Sequence, residues 1–326
     1  MVDMNKGVLI TVGIVMAVAV IMATVTASTT IEENPFRDTK ILEKGMNLPV
    51  IWLYLNPSDV NSRSWMDFMG RSSRALNVPF LNLCYQTIVA QNTGKYRVEV
   101  INGLSDVALR LGGWASMPMP LQNPLASVGE AELAWIRAAV LKKEGGLWLS
   151  AASVAIKPFD QMPAEKVVFF GTDLGETFSG DAGTPAPGLR CLWSPRPEHP
   201  MFMKWEAMTR KRLDTQLGGL NFRGDEKWDA RQLAAEFSSE VEYRPHEEVS
   251  RKPNGKRIQL EDLLSAGQQG VLPFDLQKQS TYVPIPWPEL ERSRNFGWFT
   301  RMSEEQIMKS DLVITDMFKI SIKNPQ

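Results

Sequence analysis

Glu144-Gly145-Gly146-Leu147-Trp148-Leu149-Ser150-Ala151-Ala152-Ser153-Val154-Ala155-Ile156-Lys157-Pro158-Phe159 is the stretch that decides the fold. Immediately upstream, from Val128 to Lys143, the apolar residues Leu133, Ile136, Val140 and Leu141 recur at steps of three, four and one, while Glu132, Arg137, Lys142 and Lys143 fall mostly off that stripe. This is the period of an amphipathic helix. Two lysines in its last turn suit the negative end of the helix dipole, and Gly145 suits the left-handed residue that closes it. Leu147-Trp148-Leu149 then predicts a short buried strand, and Ile156 to Phe159 its exit. Whatever follows Leu149 is delivered to the mouth of an open sheet.

The succession of helix, glycine pair, tryptophan, strand and Lys-Pro resembles the core motif of the DXD-type glycosyltransferases, in particular the capsular-polysaccharide-synthesis family and its mannosyltransferase-like relatives. The family pattern runs from a helix holding an acid and, three residues later, an arginine, through Leu and Gly-Gly, to an aromatic residue, an apolar residue and an Asp. This chain keeps Arg137, Leu141, Gly145, Gly146, Trp148 and Lys157-Pro158, and departs at Ala134, Ser150 and Ala152, where the helical acid and the two DXD carboxylates would sit. The resemblance implies a GT-A-like (nucleotide-diphospho-sugar transferase) α/β fold, with a mixed, mostly parallel sheet and helices on both faces. It implies a donor site at Arg137, Gly145, Gly146, Trp148, Ser150 and Ala152, a nucleotide sugar as donor, and a glycan or protein as acceptor.

The missing acids bear on the chemistry. A nucleotide sugar brings two phosphates, which a divalent metal normally bridges to carboxylate oxygens. A serine hydroxyl is a poor ligand for such a metal and alanine is none. Neither Mn nor Mg, nor any other cofactor, is therefore expected here. Arg137 and the pair Arg190 and Arg196 are available as counter-charge instead.

With 326 residues and 44% hydrophobic content the chain can build one sizeable core. Thirty-six basic against thirty-seven acidic residues leave a net charge of -1, so no basic field points to nucleic acid. Cys84 and Cys191 fit neither a disulfide framework nor zinc spacing, and their neighbours suggest strand positions with buried free thiols.

Gly7 to Ala27 carries no charge and would span roughly 30 Å as a helix, the thickness of a bilayer core. It predicts a single transmembrane anchor, with a cleavable signal peptide as the rival reading. Residues 1–6 form a short tail placed on the cytoplasmic side, 28–48 a polar stalk, 49–250 the α/β domain, and 251–326 a C-terminal extension packing on it. The bilayer is thus the expected partner of residues 7–27, in a secretory-pathway or virion membrane.

Within the domain, Val50 to Leu55, Phe80 to Gln86, Tyr96 to Ile101, Val167 to Phe170 and Leu189 to Trp193 are predicted strands. Ser62 to Leu76, Gly103 to Leu111 and Met201 to about Leu213 are predicted helices. Strands alternating with helices imply a parallel-rich sheet. Asp173 follows a buried strand and is a candidate catalytic residue, though capping a turn is the simpler role. His199, in a Pro-rich loop before a helix, is the second catalytic candidate; a lone loop histidine more often serves a turn. Asp225 and Asp229 would make a replacement metal site, or simply place acids in a helix's first turn. Trp148, Trp193, Trp205 and Trp228 would stack on sugars or fill the core.

From Arg251 the pattern loosens, and Pro284-Ile285-Pro286-Trp287-Pro288 marks either an interaction arm or an acceptor-side lid, ahead of a last helix near Glu304 to Ser310. Two function classes follow. One is a membrane-anchored glycosyltransferase that balances the diphosphate with basic residues. The other is a noncatalytic scaffold with capsid or membrane-protein partners, for example in the virion of a large DNA virus, where relatives of this family also occur.

Overall fold

The computed structural model describes residues 48–57, 77–160, 162–172, 187–215, 226–252, 254, 256–267, 280–293 and 295–323. The chain divides into compact units Met1–Lys44 and Gly45–Gln326, and the described residues belong to the second. The expected anchor at 7–27, the stalk up to residue 47, the whole of the expected helix at 62–76, Asp173 and Asp225 lie outside them. Among the described residues no helix is long and apolar enough to cross a membrane.

Six strands form the main sheet: β1 (Val50–Leu55), β2 (Arg97–Asn102), β3 (Gly146–Ser150), β5 (Val167–Thr172), β6 (Pro187–Ser194) and β7 (Val241–Arg244), in the order β2-β1-β3-β6-β5-β7. β1 pairs in parallel with both β2 and β3, and β5 with β7, while β6 runs antiparallel to β3 and β5. Five strands therefore point one way and β6 alone the other. The fold is α/β, with a mixed, mostly parallel sheet. After β2 the chain crosses back over β1 to reach β3, so the carboxyl end of β1 is a topological switch point, where open sheets of this kind place ligands.

The strands' alternation sorts side chains to two faces. Trp52, Trp148, Phe169 and Leu192 share one core with α2 (Gly103–Leu111), α3 (Glu130–Glu144), α4 (Pro200–Thr215) and α5 (Glu226–Glu236), through Leu104, Trp135, Phe202 and Leu233. Ile51, Leu53, Leu149, Phe170 and Cys191 alternate with these and are equally buried. On their side Phe159 sets its ring edge against Phe170. Each fully buried large side chain of this kind contributes about 1.5–3 kcal/mol.

Two corrections to the sequence reading concern this second layer. Phe80 to Gln86 is not a strand but part of α1 (Val78–Asn92), and Cys84 is accordingly helical, whereas Cys191 is in β6. α1 is buried at ten positions, Asn82 and Gln91 among them, so it shows no single apolar stripe and its Phe-Leu-Asn-Leu run imitates strand alternation. Both cysteines are free and buried. The last expected helix is confirmed as α8 (Glu304–Lys309), but a further helix, α9 (Val313–Lys323), follows it and packs on α1.

The C-terminal segment is tied to the sheet region by a second, two-stranded sheet. β4 (Ser153–Ala155), directly after the Ser150-Ala151-Ala152 corner, pairs antiparallel with β8 (Tyr282–Pro284). Short α6 (Leu260–Leu263) and α7 (Trp287–Arg292) flank β8 in sequence.

Candidate functional site

The α3–β3 junction shows why the glycine pair is needed. Gly145 closes α3, its N–H donating to the Leu141 carbonyl at 3.0 Å, with φ +66°. Its own carbonyl accepts from Trp52 Nε1 at 2.8 Å. Gly146 has φ +89°, and a Cβ there would meet the Val50 carbonyl oxygen at 2.7 Å and Trp52 Nε1 at 3.0 Å. Gly146 is in register with Ser194 at the amino end of β3. Both glycines thus lie at the strand end away from Ser150, in a turn that lets β3 enter beside β1.

At the opposite end of β3 a cleft of about 790 Å³ opens. Its floor is the carboxyl ends of β1 and β3, namely Tyr54, Leu55, Asn56, Trp148, Leu149, Ser150, Ala151 and Ala152. Tyr54 is in register with Ser150, and its ring stacks over Trp148 at 6.4 Å and 18°. One wall is α3, with Leu133 and Arg137; the other is the C-terminal segment from Ile285 to Ser293, together with Arg257. Ser150 is half-buried and faces the opening, whereas Ala152 is buried and its carbonyl accepts from Ile285 N–H at 2.9 Å. Trp287 lines the cleft with one ring face stacked on Phe80, 5.8 Å away and 12° from parallel.

Four arginines among the described residues line this space. Arg137 is buried, lies 5.7 Å from the Trp148 ring centre and pairs with Glu226. Burial lifts the Glu226 carboxyl above its usual range, with the Arg137 guanidinium opposing. Arg190 holds Glu248 in a two-pronged pair, at 2.7 Å and 3.4 Å, and Glu248 also accepts from Tyr282 Oη at 2.6 Å. Gly171, at φ +72°, leaves room for the Glu248 carboxylate, since a Cβ there would approach it to 2.5 Å. Arg257 and Arg292 are exposed and make no ion pair among the described residues. Glu289 is the one carboxylate among the described lining residues.

Of the residues expected from sequence, Arg137, Trp148, Ser150 and Ala152 come together here, with Arg190 beside them. Gly145, Gly146, His199 and Arg196 do not. Because β6 runs antiparallel, its carboxyl end and the loop beyond it fall at the sheet edge opposite the cleft, and Arg196 packs its backbone on Gly145. His199 is buried there at the start of α4, its Nδ1 accepting from the Met201 N–H at 3.3 Å. Nε2 lies 3.2 Å from Glu240 without hydrogen-bond alignment. Burial chiefly, and Arg196 in addition, hold the imidazole below its ordinary pKa of 6.5, against the pull of Glu240. Asp173 follows β5, whose carboxyl end shares the cleft's edge of the sheet, but Asp173 itself lies outside the described residues.

Asp229 is buried and paired with Arg212, in the first turn of α5. Trp193 and Trp205 are core residues, while Trp228 is exposed. The described lining residues carry one carboxylate, Glu289, beside the neutral side-chain oxygens of Tyr54, Asn56, Ser150 and Ser293, and no group of three or more His, Cys, Asp or Glu converges among the described residues. Sequence reasoning missed Arg257, Arg292 and Glu289. None sits in a motif, and only the adjacent Pro284–Pro288 stretch drew attention to that wall.

No family model matches the chain, and no curated protein matches it. Two solved structures that resemble it are of the glycosyltransferase GlyE of Streptococcus pneumoniae TIGR4. One is 9% identical, with a TM-score of 0.30, covering 60% of this chain and 45% of that one. The other, the apo form, is 9% identical with a TM-score of 0.34, covering 86% and 65%. The chain spans about half to two-thirds of the length of these structures, and a likeness this loose carries no argument about its site.

Proposed function

We propose that this chain is a glycosyltransferase-like protein whose cleft takes a nucleotide sugar without a divalent metal. The observation that carries the reading is the cleft itself: it opens at the carboxyl ends of β1 and β3, its floor is Ser150-Ala151-Ala152 where carboxylates would hold a metal, and arginines stand on both walls. Guanidinium groups suit phosphate oxygens through paired, charge-assisted hydrogen bonds. In a transfer step the acceptor hydroxyl attacks the anomeric carbon as the bond to the diphosphate breaks. Glu289 would accept the hydroxyl proton, and the departing negative charge would be met by arginine. Residues 7–27 would hold this domain at a bilayer, with the short N-terminal tail on the cytoplasmic side.

The test is calorimetric titration of the full chain, kept in detergent, with a panel of nucleotide sugars in EDTA, followed by assay of donor consumption. Binding and turnover that survive EDTA are the expected result. A chain that binds no donor contradicts the reading, and the noncatalytic scaffold, such as a virion component, then takes its place.

A further inference from the structure

The four cleft arginines are not equivalent. Arg137 and Arg190 each face a carboxylate, Glu226 and Glu248, and Glu248 has a second donor in Tyr282. Their charge is spent within the protein: withdrawing either toward a ligand would strand a buried or nearly buried acid, which costs several kcal/mol. Arg257 and Arg292 carry no such debt. Both are exposed, both line the cleft, and neither is in an ion pair among the described residues.

Both also come from beyond Arg251, beside backbone groups held by hydrogen bonds. Beside Arg257, the Lys252 N–H donates to the Lys256 carbonyl at 2.8 Å and the Ile258 N–H to the Ser250 carbonyl at 2.9 Å, and Arg257 itself bridges to Arg251. Arg292 ends α7, which is anchored by buried Leu290, by Trp287 on Phe80, and by Ile285 on Ala152. A long side chain on a held backbone gives a mobile charge with a limited reach, as an anion clamp requires.

We infer that Arg257 and Arg292 form the diphosphate clamp of this cleft, so that the C-terminal segment, and not the motif-bearing β3 corner, supplies the positive charge a metal would otherwise bring. The inference rests on the reading of the cleft as a nucleotide-sugar site. Among the described lining residues, two guanidinium groups outside any ion pair would meet the two phosphates, against the one carboxylate of Glu289.

The probes are UDP, GDP and inorganic pyrophosphate, titrated in EDTA into the full chain and into R257Q, R292Q and the double variant. K309Q is the control: Lys309 is exposed, pairs with Glu305 and lies outside the cleft, yet its loss changes net charge equally. Thermal unfolding checks each variant's fold. The clamp gives about tenfold weaker binding for each single variant, about 1.4 kcal/mol apiece, a larger loss for the double variant, and no loss for K309Q. A double variant that binds as wild type does, or a K309Q that loses as much as R257Q, overturns the clamp while leaving the nucleotide-sugar reading standing. Wild-type protein that binds none of the three probes overturns both.

Discussion

Gly146→Ala separates a folding role for the glycine pair from a ligand-binding one. The substitution puts a side chain on a residue at φ +89°, a region whose occupation by a non-glycine residue costs about 1–3 kcal/mol. Its Cβ would also stand 2.7 Å from the Val50 carbonyl oxygen and 3.0 Å from Trp52 Nε1. Both are held by their surroundings, Val50 in β1 and Trp52 buried and bonded to the Gly145 carbonyl. Relief of that overlap costs about 1–3 kcal/mol, and losing the Trp52 hydrogen bond about 1 kcal/mol. The expected loss is roughly 3–7 kcal/mol, read as a lower midpoint in equilibrium urea unfolding with an unchanged slope. Affinity for UDP or GDP per folded molecule stays at the wild-type value, because Gly146 lies at the strand end away from the cleft. A loss below about 1 kcal/mol, or weakened nucleotide binding with an unchanged unfolding midpoint, would refute this reasoning.

Other consequences are as specific. Glu206 joins α3 to α4 by accepting from Trp135 Nε1, Lys142 Nζ and Arg210 Nε at 2.7–2.9 Å. Burial pushes its carboxyl up, but these three donors more than offset that and leave it lowered. Its contribution to stability is therefore present above its ordinary value of 4.5 and lost as the pH falls through its lower folded value. Glu206→Gln should cost about 2–4 kcal/mol in urea unfolding at neutral pH and remove that acid-limb loss. His199, also lowered by burial, stabilises above pH 6.5 and loses that contribution as the pH falls toward its folded value; unfolding curves of His199→Asn should lack this slope. Ser150→Asp faces the cleft and should fold normally while weakening nucleotide binding in EDTA by like-charge repulsion. Ala152→Asp should instead destabilise the protein by several kcal/mol, since Ala152 is buried under Ile285. Equal folding of the two variants would contradict the difference in their surroundings.

The elements that were legible in the sequence are those whose burial is one-sided or complete over a short run. β1, the α3-to-β3 junction, β5, β6 and α4 announced themselves in this way, and the strand-helix alternation gave the fold class. α1 was illegible because it is buried on most sides and carries Asn82, Gln91 and Asn92 inside its core, each bonded across or along the helix: Asn82 to Glu304, Gln91 to the Ser321 carbonyl and Asn92 to the Ile88 carbonyl. β8 spans three residues, too few for any periodicity to show. The site divides along similar lines. Arg137, Trp148 and Ser150 belong to one local run and were found together. Arg257 and Arg292 reach the same cleft from the C-terminal segment, where β8 pairs with β4, a contact between segments far apart in the chain that no local pattern records. The reversal of β6 likewise decides where His199 goes, since a parallel β6 would have delivered the loop after it to the cleft's edge of the sheet.

Because the account turns on how the cleft balances a diphosphate's charge, the most direct measurement is a manganese titration of the full chain, alone and saturated with UDP or GDP. Where arginines balance the diphosphate, manganese adds no affinity: nucleotide binding should be the same in manganese as in EDTA. Nucleotide binding that appears only with manganese, or a manganese site that Ser150→Ala leaves untouched and that strengthens nucleotide binding, would contradict it.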